Sequence, residues 1–307
     1  MSEGSLAPIA VFAYRRTDHL TKTLDALERC AEFSRSPVFV FSDGAKSESG
    51  AADVAAVRAL VRARLRPNMT LVEAPANRGL ANSISQAVTQ LCDRYGRVIV
   101  IEDDLVVSPH ALAWLNGGLD RYRDDERVFQ ISAHQFDVPD FAARKEGLFL
   151  HLTTSWGWAT WKRAWDRFDP NAEGWEKLKT DRALRQRFDV GGQPYSEMLR
   201  RQMEGRLDSW AIRWWWSVFK ADGICLFPPR SLVQNIGFDE TATHYKLGRL
   251  RRIGPKSPDA NDLAMPDLPE NALVASSDEA ALYAALATRG GRRLWQAIVR
   301  LINLIGR

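Results

Sequence analysis

Cysteine is scarce in this sequence, and no metal-binding cysteine pattern is present. The 307 residues include three cysteines, Cys30, Cys92 and Cys225, which lie far apart. The absence of a CxxC pair argues against a structural zinc site and against a disulfide framework. We therefore expect a protein of a reducing compartment, the cytoplasm.

Long apolar runs and targeting features are also missing. No stretch approaches the roughly 18 uncharged apolar residues that cross a bilayer. The N-terminal segment, MSEGSLAPIAVFAYRR, has no basic region before its apolar run, and that run is too short for a signal peptide. These absences predict a protein that is soluble or lies on a membrane surface.

The main part of the chain has no excess of positive charge. The formal net charge is +4, and the stretch from residue 246 onward, with ten Lys or Arg and six Asp or Glu, accounts for all of it. A nucleic-acid-binding protein usually carries its basic residues on the folded module. We therefore do not expect nucleic acid as a partner.

Glycine-rich nucleotide motifs are absent as well. The first apolar run continues into VFAYRRT where a dinucleotide-binding protein would have GxGxxG, and no GxxxxGK[ST] motif occurs. These absences argue against a nicotinamide-dependent dehydrogenase and against a P-loop enzyme. A nucleotide bound here would have to be held by side chains.

Short apolar runs alternate with helical patterns in the first half of the chain. The runs APIAVFAY, PVFVF, TLVEA and RVIVI predict strands, and amphipathic stretches separate them. This order predicts an α/β fold with a mainly parallel sheet flanked by helices. A Trp-rich region follows from about Gly147.

The chain is expected to have three parts. These are a main domain over 1–245, an irregular linker over 246–270 and a helical appendage over 271–307. Within the main domain we expect a nucleotide half over about 1–130 and an acceptor half over about 131–245.

Three consecutive carboxylates, Glu102, Asp103 and Asp104, follow the strand RVIVI directly. Open α/β sheets bind ligands at the carboxyl ends of their strands. Adjacent carboxylates in a crevice need a compensating cation, and oxygen ligands suit Mg²⁺ or Mn²⁺. Strand alternation would place Glu102 and Asp104 on one side and Asp103 on the other. Ser108 is expected to cap the next helix, with Pro109 at its first position. A solvated acidic turn is the alternative interpretation.

Two other predicted strands also end in polar residues. Arg15 and Arg16 end the first strand, and Asp43 ends the second. An Arg can pair with a diphosphate, and an Asp can accept a hydrogen bond from the ring N–H of a uracil-like base. Taken singly, each is better explained as a surface arginine or a turn aspartate. Their shared position at strand ends favours a nucleotide site.

Seven motifs, in order over about residues 8–244, carry a resemblance to a known family. They are FAYRRTDHL, FSDG, NRGLANSI, VIEDDLVVSP, TTSWGWATWKRAWDRFD, DSWAIRWWWSVF and RSLVQNIGFDETATH. Together they resemble bacterial GT-A glycosyltransferases, distantly similar to the N-acetylglucosaminyltransferase I group. The resemblance implies a GT-A (Rossmann-like) fold with a mixed, mainly parallel sheet. It also implies inverting transfer of a sugar from a nucleotide-sugar, a UDP-sugar, with Mn²⁺ or Mg²⁺. The implied acceptor is a carbohydrate or a lipid-linked glycan of a surface polysaccharide.

The resemblance also implies roles for the residues at the strand ends. The acidic triplet takes the place of the family's DXD motif, so that Asp104 binds the metal while Glu102 and Asp103 position the sugar and the ribose. Asp43 would face the base and Arg16 the diphosphate. The triplet departs from a bare DXD pattern by having Asp at its centre, which leaves the assignment within it open.

The remaining implied residues lie further along the chain. Asn77 and Arg78 would line the nucleotide pocket. Asp208 corresponds to the general base that deprotonates the acceptor hydroxyl, and from the sequence alone it is equally a helix N-cap. His244 is a candidate contact to the metal or the diphosphate, although a lone His is more often a surface or packing residue.

Eleven tryptophans are many for this length. Aromatic faces stack on sugar rings, and Trp156 and Trp158, in a Gly-containing segment that reads as a loop, are the candidates for an acceptor site. Burial in the core is the alternative for both, as for most of the other tryptophans.

Two other functions remain as alternatives to a glycosyltransferase. A sugar nucleotidyltransferase would also place carboxylates around a metal, but the Gly-rich, Lys-containing loop typical of its N-terminus is absent. A non-catalytic carbohydrate-binding protein could retain the fold.

The C-terminal tail, RRLWQAIVRLINLIGR, has the pattern of an amphipathic, basic helix. That pattern predicts either contact with the inner face of the cytoplasmic membrane or docking on the protein's own domain or on a second subunit of a homodimer.

Overall fold

The structure is a computed structural model that describes residues 5–237 and 264–287. His244, residues 246–263 of the predicted linker, and the predicted tail helix lie outside these ranges. The strands are β1 (Ile9–Ala13), β2 (Val38–Ser42), β3 (Met69–Glu73), β4 (Arg97–Glu102), β5 (Leu105–Val107), β6 (Val128–Ser132), β7 (Leu148–Leu150), β8 (Trp158–Trp161), β9 (Ile224–Phe227) and β10 (Val233–Asn235). The helices are α1 (Thr17–Glu28), α2 (Ala51–Ala63), α3 (Leu80–Tyr95), α4 (Ala111–Arg121), α5 (Pro139–Ala142), α6 (Lys162–Trp165), α7 (Lys177–Thr180), α8 (Arg182–Phe188), α9 (Tyr195–Met203), α10 (Trp210–Lys220) and α11 (Ser276–Ala287).

Eight strands form one mixed sheet in the order β3-β2-β1-β4-β8-β6-β9-β7. The first four run parallel to one another, β8 is antiparallel to both of its neighbours, and β7 is antiparallel to β9. All five residues of β1 are buried, which explains why its sequence is apolar without alternation. The prediction of a mixed, mainly parallel sheet flanked by helices is confirmed.

The strand order reverses between β1 and β4. The chain proceeds from β1 outward to β2 and β3, and then returns to pair β4 with the other side of β1. The register places Phe12 opposite Glu102. The segment after Phe12 and the carboxylates after Glu102 therefore leave the sheet side by side, at the kind of switch point where α/β sheets bind ligands.

The segment after the acidic triplet differs from the prediction. Leu105–Val107 forms β5, which pairs antiparallel with β10 in a separate two-stranded sheet. The backbone N–H of Ser108 continues this ladder by donating to the carbonyl of Leu232 (2.8 Å). The predicted helix start at Pro109 is therefore wrong, because α4 begins at Ala111. The hydroxyl of Ser108 does accept a hydrogen bond from the backbone N–H of His110 (3.1 Å), just before the helix.

Trp158 lies in the middle of the sheet and not in a loop. It belongs to β8, between β4 and β6, and its side chain is 0% exposed. Its ring stacks on Trp210 with centroids 4.9 Å apart and packs near Trp165 and Trp214. This aromatic cluster joins the sheet to α10 and so fixes where α10 begins.

The last described segment packs against the far edge of the sheet. Asp267 forms a parallel bridge with Glu146, beside β7, and Asp278 at the start of α11 is buried in an ion pair with Arg144. The end of the stretch predicted as a linker is thus paired with the main domain. Within the described ranges, no helix combines the length and the apolar character needed to cross a membrane.

The position of Trp158 leads to a prediction about stability. Trp158→Ala should lower the free energy of unfolding by about 3–5 kcal/mol, because it leaves a large cavity in a packed core. Trp156→Ala, which shortens a half-buried side chain two residues away, should cost clearly less. Urea unfolding of both variants measures the difference; equal losses would contradict the assignment of Trp158 to the core.

Candidate functional site

A cleft of about 560 Å³ opens at the carboxyl ends of β1, β2 and β4. It brings together predicted site residues that are as much as 192 positions apart in the sequence, from Arg16 to Asp208. The predicted residues that line it are Arg16, Asp43, Asn77, Arg78, Glu102, Asp103, Asp104, Trp156 and Asp208. Trp158 is not among them, and His244 lies outside the described residues.

One arginine lies between two members of the acidic triplet. The Nη2 atom of Arg16 is 2.5 Å from Oδ1 of Asp103 and 2.8 Å from Oδ2 of Asp104. The backbone N–H of Tyr14 donates to the other oxygen of Asp103 (3.3 Å). Strand alternation does not continue past Glu102, because the chain turns at Asp103 and Asp104. The prediction that these two aspartates point to opposite sides is therefore wrong.

Two backbone contacts fix the turn that carries the aspartates. Thr23 on α1 donates its hydroxyl to the carbonyl of Asp103 (2.8 Å), and the N–H of Ile236 donates to the carbonyl of Asp104 (2.8 Å). Gly237 comes next, and a Cβ there would lie 2.1 Å from Oδ2 of Asp104. Only glycine can occupy position 237 without moving that carboxylate. These contacts have no direct sequence signal, because they depend on the packing of α1 and on the pairing of β5 with β10.

The carboxylates are not fully neutralised by Arg16. Burial, and then the charges of Asp104 and Asp103, raise the pKa of Glu102 to about 8. Burial also raises the pKa of Asp103, although Arg16 acts in the opposite direction. Burial alone would lower the pKa of Arg16, but the charges of Asp103 and Asp104 outweigh it and the pKa is raised. The site thus has an excess of negative charge that a proton or a further cation would relieve.

The donor atoms at this site suit a divalent cation that is shared with a ligand. Within residues 5–237 and 264–287, no three His, Cys, Asp or Glu side chains gather into a complete metal site. The carboxylate oxygens of Asp103 and Asp104 are of the type that Mg²⁺ and Mn²⁺ take. A small number of protein oxygens is what such ions require when phosphates supply the rest of the coordination. The residues present therefore fit a metal bound together with a diphosphate.

Asp43, directly after β2, is held in the cleft wall mainly by backbone hydrogen bonds. Its carboxylate accepts from the backbone N–H groups of Gly44 (2.8 Å), Arg78 (2.9 Å) and Gly79 (3.0 Å), and from Nδ2 of Asn77 (3.1 Å). Asn77 also donates to the carbonyl of Gly44 (2.8 Å). The two loops that follow β2 and β3 are thereby tied to each other, with the exposed side chains of Asn77 and Arg78 at the mouth of the cleft.

Asp208 lies at the start of α10 but does not cap it. The cap is Ser209, whose hydroxyl accepts from the N–H of Ile212 (3.4 Å). The capping interpretation of Asp208 is therefore wrong. The side chain of Asp208 is exposed in the cleft, and the stacking of Trp210 on Trp158 holds this end of the helix in place.

The two candidate acceptor tryptophans lie in different environments. Trp156 is half-buried at the cleft wall, with its ring centroid 4.6 Å from that of His134. Trp158 has no exposed surface and so no face on which a sugar could stack, which removes it from the acceptor site. Several lining residues were not predicted; they include Tyr14, Lys46, Leu80, Ser83, Gln86, Gln90 and Asn235.

Comparisons with solved structures return glycosyl-transferring enzymes at low similarity. The chain is similar to the mannosyltransferase PcManGT from Pyrobaculum calidifontis in complex with GDP-Man and Mn²⁺ (17% identity, 50% of this chain and 44% of that one, TM-score 0.35). It is similar to glucosyl-3-phosphoglycerate synthase from Mycobacterium tuberculosis in complex with Mn²⁺, UDP and phosphoglyceric acid (11% identity, 54% of this chain and 57% of that one, TM-score 0.35). It is also similar to the galactosyltransferase LgtC in complex with donor and acceptor sugar analogues (15% identity, 56% of this chain and 64% of that one, TM-score 0.32).

These likenesses are partial and carry no residue-level argument. The matches span between 44% and 64% of the three proteins. No family profile matches the chain, and no curated protein sequence matches it. The resemblance to the N-acetylglucosaminyltransferase I group stays a prediction.

The raised pKa of Glu102 predicts how stability depends on pH. A carboxyl whose pKa rises from 4.5 when unfolded to about 8 when folded stabilises the folded state below pH 4.5. That contribution is lost as the pH rises through about 8, by at most about 1.4 kcal/mol for each pH unit. Glu102→Gln, which cannot ionise, should match the parent near pH 5 and be more stable than the parent at pH 8.5 without metal.

The measurement is urea unfolding at the two pH values. Asp137→Asn, which changes an exposed carboxylate outside the cleft, is the matched control and should not gain stability over the parent between pH 5 and pH 8.5. A Glu102→Gln variant that is no more stable than the parent at pH 8.5 would show that Glu102 ionises without penalty.

Proposed function

We propose that this protein is a metal-dependent glycosyltransferase that moves a sugar from a UDP-sugar to a carbohydrate or lipid-linked glycan acceptor. The observation that carries the proposal is the placement of Arg16 between Asp103 and Asp104 at the switch point of the sheet. A cationic side chain and carboxylate oxygens at one strand edge suit a diphosphate and its counter-cation. The same cleft holds a separate exposed carboxylate, Asp208, which is the type of group that takes a proton from an acceptor hydroxyl.

The donor half of the proposal uses the triplet and the two tied loops. Asp104 would hold Mn²⁺ or Mg²⁺, which when bound supplies positive charge to the departing diphosphate. Arg16 would turn from the carboxylates to the phosphate oxygens and donate hydrogen bonds to them. Glu102 and Asp103 would position the sugar and the ribose. The nucleoside would then extend toward the loop that carries Asn77 and Arg78, and toward Asp43.

The acceptor half depends on Asp208 and Trp156. In the proposed inverting step, the acceptor hydroxyl oxygen forms a bond to the anomeric carbon while the bond from that carbon to the diphosphate oxygen breaks. The hydroxyl proton passes to the carboxylate of Asp208, and the electron pair leaves with the diphosphate. Trp156, half-buried at the cleft wall, is the candidate for stacking on an acceptor sugar.

A nucleotide-release assay tests the function directly. UDP release from a panel of UDP-sugars, with and without Mn²⁺, should require both the metal and Asp104, so that Asp104→Asn loses the metal-dependent activity. Pyrophosphate-dependent formation of a nucleoside triphosphate would indicate a sugar nucleotidyltransferase. Binding of UDP-sugar and glycan without turnover would indicate a carbohydrate-binding protein; either result overturns the proposal.

The role of Asp208 is tested by a second pair of variants. Asp208→Asn should lower turnover by about 10²–10⁴-fold, because the amide cannot accept the proton, while UDP affinity is retained. Ser209→Ala is the matched control: it should cost about 1 kcal/mol of stability through loss of the cap, with turnover within a few-fold of the parent. Turnover of Asp208→Asn close to that of the parent would require a different base.

A further inference from the structure

The carboxylate of Asp43 has its acceptor positions filled by its own chain. An ionised carboxylate offers about four lone-pair sites. The three backbone N–H groups of Gly44, Arg78 and Gly79, together with the side-chain amide of Asn77, provide four donors at 2.8–3.1 Å. To accept from the N–H of a base as well, Asp43 would have to give up a hydrogen bond to a charged acceptor, and such bonds are stronger than neutral ones.

These hydrogen bonds hold the loop after β3 in one conformation. The amides of Arg78 and Gly79 both point at Asp43, and the loop comes so close to the segment after β2 that a Cβ on Gly44 would lie 2.3 Å from the carbonyl carbon of Ala76. Gly79 has φ of +78°, which favours glycine, and α3 begins at the next residue. Asp43 therefore fixes the direction in which the chain enters α3.

The far side of the same loop lies next to the candidate base. A Cβ on Gly79 would lie 3.0 Å from Oδ2 of Asp208, so that carboxylate occupies the space into which a side chain at position 79 would project. Asp43 and Asp208 are thus linked through a single glycine, whose N–H is bound by one and whose Cα faces the other.

We infer that Asp43 is a positioning residue: it does not read the nucleotide base, but fixes the loop Asn77–Gly79 against Asp208. The inference rests on the proposed function for the role of Asp208. It replaces the expectation that Asp43 accepts from a uracil-like ring. Base recognition then falls to other groups of the cleft, and loss of Asp43 acts on the chemical step through the loop.

Hydrogen–deuterium exchange of the ligand-free protein tests the loop directly. In Asp43→Asn, one acceptor oxygen becomes a donor, and the amides of Arg78 and Gly79 should exchange about tenfold faster or more. Peptides from β1 and β4 should be unchanged, which checks the fold, and Asp137→Asn should leave all peptides unchanged. Unchanged exchange over residues 76–80 in Asp43→Asn would overturn the inference whether or not the protein is a transferase.

A second variant covers the case in which Asp43→Asn does not fold. Asn77→Ala removes one donor from the carboxylate and the bond to the carbonyl of Gly44. It should raise exchange over the same residues to a smaller extent. No rise in this variant would likewise overturn the inference.

A nucleotide cycle then separates positioning from base reading. The affinities of the parent and of Asp43→Ala, which keeps no side-chain acceptor for the ring N–H, are measured for UDP and for N3-methyl-UDP with Mn²⁺. A positioning residue leaves the UDP to N3-methyl-UDP ratio the same in both proteins within about twofold, whereas a base-reading residue makes the ratio collapse in the variant. In turnover, Asp43→Asn should lower kcat while KM for the UDP-sugar stays within a few-fold; the reverse pattern overturns the inference. No UDP binding by the parent would instead refute the proposed function.

Discussion

The contact of Arg16 with Asp103 and Asp104 is the interaction on which the rest of the cleft depends. Three adjacent carboxylates, partly withdrawn from water, repel one another, and Glu102 shows the effect in a pKa raised to about 8. Removing one partner of such a buried cluster typically costs about 3–5 kcal/mol, because the remaining charge is left uncompensated. The guanidinium therefore serves as the resident counter-cation of the metal-free protein.

The sheet places this contact, and the rest of the cleft is built outward from it. Pairing of Phe12 with Glu102 brings the ends of β1 and β4 together, so that Arg16 reaches the turn at Asp103. Asp43 ties together the loops after β2 and β3, and Gly79 in the second of these loops lies next to Asp208. The tryptophan cluster anchors α10 and so holds Asp208 in place. The proposed donor and acceptor sites thus share one wall.

Much of this arrangement could be predicted from the sequence, because it follows from strand ends. Uninterrupted apolar runs identified the parallel strands, and the polar residues that follow them had to meet at one edge. Predictions failed where long-range pairing decided local structure: Trp158 was assigned to a loop because its pairing with β4 and β6 leaves no trace in local composition. The sequence predicts the start of α4 two residues early, at Pro109, because the ladder of β5 with β10, which continues to Ser108, depends on residues more than a hundred positions away. The bonds that fill the carboxylate of Asp43 were likewise not visible, since backbone donors have no sequence pattern.

The most direct measurement uses electron paramagnetic resonance to determine the affinity of the protein for Mn²⁺, with and without UDP. If a bound diphosphate draws Arg16 away from Asp103 and Asp104, Mn²⁺ alone should bind weakly. UDP should then raise the affinity for Mn²⁺ by about tenfold or more, which corresponds to a coupling free energy of about 1.4 kcal/mol. Arg16→Met should bind Mn²⁺ more tightly than the parent when UDP is absent, and the effect of UDP should shrink. Mn²⁺ affinity that is the same with and without UDP, or no Mn²⁺ binding when UDP is present, would contradict the assignment of this cleft to a metal-bound nucleoside diphosphate.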